Sequence, residues 1–146
     1  MQTKHLLPLA VLITTAIAAV LPRAVEPTPP WQVKNYTEGC SPAACVYTFN
    51  ISLSNTSPAS PNEPSFSTTC TGNNLTPDFQ ACEDPAISTK EINGWSNVTL
   101  IVQHVFTKPI NIGEARYTVT GNHTIVNPGY KAYDFEVKQS MITAVA

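Results

Sequence analysis

Beyond residue 30 the chain alternates apolar and polar residues with a period of two. In "VYTFNISLS", Tyr47, Phe49, Ile51 and Leu53 are apolar, while Thr48, Asn50, Ser52 and Ser54 are polar. This is the pattern of a strand with one face in a core and one in solvent. "WQVKNYT" (31–37) begins the same way, with Trp31 and Val33 set against Gln32 and Lys34, and "SFSTTCT" (65–71) puts Phe66, Thr68 and Cys70 on one side. "WSNVTLIVQHVFT" (95–107) aligns Val98, Leu100, Val102, His104 and Phe106. Ile101 and Val105 make its second face partly apolar, as expected of a central strand. "DPAISTKEI" (84–92) is a weaker strand before an Asn93-Gly94 turn. "ARYTVTG" (115–121) and "HTIVN" (123–127) flank Gly121-Asn122 as a hairpin or a bulge, and "YKAYDFEVK" (130–138) closes the series. No window here repeats apolar residues at helical spacing. The pattern predicts a single all-β domain over residues 31–146, an antiparallel barrel or sandwich of about seven or eight strands.

The start of the chain reads differently. Residues 6–21 are uncharged and mostly apolar, Lys4 precedes them, and Ala16-Ile17-Ala18 fits a small-x-small cleavage site. A membrane-spanning helix needs about 20 apolar residues, so residues 1–18 are expected to be a secretory signal peptide. Residues 19–30, ending "PRAVEPTPP", form a Pro-rich lead with no core pattern. The expected product is secreted and extracellular, with no membrane attachment after cleavage; "SMITAVA" at the end is too short for the hydrophobic tail of a lipid-anchor signal.

Cysteines and asparagines fit that route. Cys40, Cys45, Cys70 and Cys82 all follow the leader, and an even count in a secreted domain reads as two disulfides. Three pairings are open, and the local one, Cys40–Cys45 with Cys70–Cys82, is expected. The spacings C-x4-C and C-x11-C, with no histidine nearby, do not suit zinc. Six N-x-[ST] triplets occur, at Asn35, Asn50, Asn55, Asn74, Asn97 and Asn122. With 11 Asn and 28 Ser or Thr among 146 residues, random order would give about two, so the excess points to N-glycosylation.

Charge narrows the partners. The chain carries 8 Lys+Arg and 10 Asp+Glu, and loss of Lys4 with the leader leaves 7 against 10. With no basic cluster, nucleic acid is not expected as a partner. No set of residues converges on catalysis. His104 lies on an apolar strand face, and His123 sits beside a turn. Glu83 and Asp84 are adjacent and so point apart. Asp134 and Glu136 share one outer face about 7 Å apart. There is no G-x-S-x-G elbow and no glycine-rich phosphate loop. The expectation is a protein that is not an enzyme and needs no cofactor or metal. Trp31 and Trp95 are the candidate ligand platforms.

The string "WQVKNYTEGCSPAACVYTFNISLSN…PSFSTTCTG…FQACED…WSNVTLIVQHVF…YTVTGNHTI" resembles the family of small secreted fungal proteins related to the Alternaria major allergen. The positions that carry the resemblance are Trp31, Tyr47, Phe49, Ile51, Cys70, Cys82 and His104. It implies a compact disulfide-stapled β-barrel, secretion by a fungus, and an effector-like or allergen-like role at the host or environment surface. It transfers no catalytic residues. The Cys40/Cys45 pair and the number of sequons depart from the family pattern. The expected partner is a host protein or a cell-wall glycan. A cell-wall carbohydrate-binding protein is the first alternative, and a hydrolase inhibitor or hydrolase the second.

Overall fold

A computed structural model describes residues 29–54, 62–126 and 128–146. The expected signal peptide, most of the Pro-rich lead and the Asn55 sequon lie outside the described residues. Eight strands follow one another: β1 (Trp31–Cys40), β2 (Cys45–Leu53), β3 (Phe66–Asn73), β4 (Gln80–Ala81), β5 (Ile87–Asn93), β6 (Asn97–Ile110), β7 (Gly113–Val126) and β8 (Tyr133–Val145). All pairings are antiparallel, in the order β3-β2-β1-β8-β7-β6-β5-β4. The sheet curls into a nearly closed barrel with two disulfides, Cys40–Cys45 and Cys70–Cys82. The expected all-β class and the local cysteine pairing both hold.

Alternation sets the faces as expected. Trp31, Val33, Tyr47, Phe49, Ile51, Leu100, Val102 and Val119 are buried in one core. β6 pairs on both edges, with β5 and β7, so its second face is partly apolar as a central strand's is. In β1 the phase slips. Both of its registers shift between residue 33 or 34 and residues 36–37, and Asn35 takes φ +54°, a left-handed conformation that asparagine tolerates. The bulge turns Asn35 out to solvent and swings Tyr36 and Glu38 inward.

In the C-terminal half, the bulge is the alternative that holds at Gly121: β7 runs through it, and its register with β8 shifts there. A side chain at Gly121 would lie 2.8 Å from Val137 Cγ1 and 2.9 Å from the Lys138 carbonyl, so glycine lets β7 and β8 close over Trp31. Residues 139–145 form the second half of β8, paired with β7 from Gly121 to Arg116. The short strand β4 was not expected from the pattern.

The seam of the barrel lies between β3 and the β4–β5 segment. Gln80 stitches it with its side chain: Nε2–H donates to the Asn73 carbonyl at 2.7 Å, and Oε1 accepts from Asn73 N–H at 3.2 Å. Glu83 N–H donates to Thr69 O at 3.0 Å, and Asp84 N–H to Thr68 Oγ1 at 2.9 Å. The Cys70–Cys82 bridge crosses the same line. These bonds occupy the edge groups that an open sheet would leave free for aggregation.

Candidate functional site

Two turns meet at one end of the barrel. Cys40 and Cys45 face each other across β1 and β2, and their bridge closes a loop in which Ser41 Oγ accepts from Ala43 and Ala44 N–H. Beside it, the β5–β6 connection folds back through a Gly94 N–H bond to Asn97 O at 2.8 Å. Asn74 ties the first turn down, accepting from Cys45 N–H at 2.9 Å. Between the turns lies an open hollow of about 360 Å³ lined by Glu38, the disulfide, Asn93, Trp95, Asn97 and neighbours. Trp95 stands fully in solvent at 107% relative exposure.

Behind the hollow, polar side chains cross the barrel interior. Tyr36 of β1 donates its hydroxyl to Glu91 Oε1 of β5, and Tyr47 of β2 shares a 3.0 Å hydrogen bond with Thr89 of β5. Tyr47 fits only because Gly72 faces it: a Cβ there would sit 2.2 Å from the Tyr47 hydroxyl. Glu91 is over nine-tenths buried, and its Oε2 has no hydrogen-bond partner among the described residues. Burial pushes its carboxyl up to about 7; the Tyr36 hydrogen bond opposes this and the nearby Glu38 adds to it. Burial also raises Glu38, and it raises the Tyr36 phenol together with the Glu91 carboxyl. Glu38, Cys40 and Cys45 are the one group among the described residues with three potential ligand atoms within 4.8 Å. Both sulfurs are spent in the disulfide, so no thiolate remains to hold a metal.

The opposite end is plugged. Glu63, entering from the segment before β3, is buried and accepts from Trp31 Nε1–H at 3.1 Å, His104 Nδ1 at 2.6 Å and Gln139 Nε2–H at 2.8 Å. His104 is also flanked by the Phe66 and Phe106 rings, 4.7 and 5.0 Å away. His104 was expected as a satisfied core histidine, and its partner is a carboxylate 41 residues away. An exposed His–carboxylate pair would suit hydrolysis; here both groups are sealed, His104 at 3% exposure.

The expected site residues are thus dispersed. Trp31, read as a ligand platform, is fully buried with its N–H on Glu63; that expectation is corrected, because the first residue of β1 faces the core. Trp95 keeps the platform geometry. Among the sequons, Asn35, Asn50, Asn97 and Asn122 are exposed, and Asn74 is half-buried with its carbonyl engaged by Cys45. Asn122 opens onto a shallow groove of about 610 Å³ between β7 and β8, with His123, Lys138 and Gln139. His123 is not merely solvated: its ring stacks on Phe135 at 4.3 Å. Little in the local sequence marks Glu63 or Glu91 as buried. Glu63 lies in a Pro-rich stretch that reads as loop, and Glu91 sits in the weakest strand pattern. An acidic residue at an inward position of a strand was the only available signal for Glu91. Asp134 and Glu136 lie on the outer face, where Asp134 pairs with Lys34 at 3.0 Å and Glu136 accepts from Gln32. No protein-family profile, curated protein or solved structure matches this chain.

Proposed function

We propose that this chain is a secreted, N-glycosylated fungal protein that acts by binding at the host or environment interface, in the manner of an effector or allergen and without catalysis. The pairing of all four cysteines carries the reading, because disulfides persist in oxidising compartments and are rare in reducing ones. The exposed sequon amides on outer strand faces and turns support it, since a glycan needs solvent. The likeness to the Alternaria major allergen family belongs to the same proposal. The partner is a host protein or a cell-wall glycan. Intact-mass measurement of the protein recovered from culture medium, before and after glycosidase and reductant, tests this reading. Mass loss with glycosidase and a four-hydrogen gain on reduction are expected. An unglycosylated chain with four free thiols would overturn it.

One observation favours the carbohydrate-binding alternative: a fully exposed indole over a hollow with Glu38 and Asn93 on its wall. Pull-down on insoluble glucan and chitin, with Trp95→Ala as the control, separates it from protein binding.

A further inference from the structure

Trp95 stands entirely in water on the β5–β6 connection, the most exposed of the large apolar side chains among the described residues. Its indole presents a broad apolar face that a sugar ring can cover. Of the two tryptophans, Trp31 is buried and Trp95 is not. The question is what covers Trp95.

The answer lies two residues along the chain. Asn97, the acceptor of an N-V-T triplet, is exposed and lines the same hollow as Trp95. Both residues belong to one tight connection, closed by the Gly94 N–H bond to Asn97 O at 2.8 Å. Gly94 makes room for the acceptor: a Cβ there would lie 2.2 Å from Asn97 Oδ1. Thr99, the third residue of the triplet, stays on the outer side of β6, where its hydroxyl meets that of Thr124 at 2.9 Å. No other sequon has this neighbour. The residues two positions before the other five acceptors are Val33, Thr48, Leu53, Gly72 and Thr120.

We infer that Asn97 is a glycosylated position and that Trp95 is the platform for the chain's own sugar, the indole stacking on the first N-acetylglucosamine. Attachment forms the bond from Asn97 Nδ2 to the sugar C1 and breaks the C1–O bond of a lipid-linked diphosphate oligosaccharide donor. The amide loses one proton, and the lipid diphosphate leaves. A β-linked N-acetylglucosamine carries axial C–H groups on one ring face, and these meet the electron-rich face of an indole. An external polysaccharide would use the same surface, but the covalent sugar is held within reach by two residues of chain, so its effective concentration is far higher. This inference rests on the proposed passage through a glycosylating secretory route.

The test exploits the two tryptophans, since acrylamide reaches Trp95 and not Trp31. The parent protein and Asn97→Gln are secreted from a glycosylating eukaryotic host, mapped by glycopeptide mass spectrometry, and compared by acrylamide quenching of tryptophan fluorescence. Asn97 is expected to be occupied, and Trp95 in the parent to be quenched roughly threefold less than in Asn97→Gln, because a bulky sugar shields it. Trp95→Ala is expected to lower occupancy at Asn97 while leaving Asn50 and Asn122 unchanged. Asn97 bare with other sequons occupied overturns the inference alone. All sequons bare overturns the reading on which it rests. Equal quenching of the parent and Asn97→Gln returns the indole to an external ligand and overturns it too.

Discussion

Two buried acids bear on stability in different ways. Glu91 is destabilising when ionised. Its folded carboxyl titrates near 7, against an ordinary 4.5, so between these values the folded state holds a proton that the unfolded chain has released. Stability is therefore greatest below about pH 4.5 as far as this group is concerned, and falls as pH rises towards 7, by roughly 3 kcal/mol in all. Glu38, also raised by burial, adds in the same direction. Glu91→Gln, which keeps an acceptor for Tyr36, is expected to flatten this slope and to be more stable than the parent at pH 8; urea unfolding at pH 4, 6 and 8 reads both effects. Glu63 acts through its hydrogen bonds: Trp31, His104 and Gln139 converge on its carboxyl. Glu63→Ala takes that acceptor from the buried Trp31 and His104 and is expected to cost about 3–4 kcal/mol, measured by urea unfolding with Trp31 fluorescence as the probe. Neither role is visible in local pattern. An inward acid in a strand looks like any polar intrusion until the fold brings Tyr36 across to it.

At the scale of elements, the two disulfides do different work. Cys40–Cys45 spans five residues at the end of an already paired hairpin, and Cys70–Cys82 spans twelve and crosses the barrel seam. Loop-closure entropy alone assigns about 2 kcal/mol to the first and about 3 kcal/mol to the second. Removing the second by Cys70→Ala with Cys82→Ala also leaves a void at a fully buried position. That double variant is expected to lose more than the Cys40→Ala, Cys45→Ala pair in a urea titration, and to show early hydrogen exchange in the Glu83 and Asp84 amides, which donate across the seam. The strand faces were legible in the sequence because alternation is a local property: Tyr47 to Leu53 and Val98 to Phe106 read directly as they fold. What was not legible depended on partners. The β1 bulge at Asn35 follows from two registers, the second half of β8 is a strand because β7 lies beside it, and Gln80 acts as a strand partner only because Asn73 comes within reach. Of the candidate platforms, Trp95 was legible from its turn. Trp31 was not, since a strand's first residue can face either way.

The whole molecule is two meanders, β1 to β3 and β4 to β8. Among the described residues β1 with β8 is the only strand ladder between them, and the seam bonds and the Cys70–Cys82 bridge tie them on the other side. A chain ending at Val126 keeps seven strands and loses that junction. It is expected to expose the core, seen as loss of methyl dispersion in NMR spectra and strong binding of a hydrophobic dye. Gln32 and Glu136, paired across the junction, are 104 residues apart; such non-local topology places refolding with intact disulfides in the range of about a millisecond to a second. Synthesis is slower still. At about 5–20 residues per second, the first meander, ending at Asn73, waits on the order of 4–14 s for the end of β8 at Val145, with the edge of β1 unpaired. The vulnerability this sets is one of time. Misassembly competes with folding during that interval, and it ends when the last strand, thirteen residues long, leaves the ribosome.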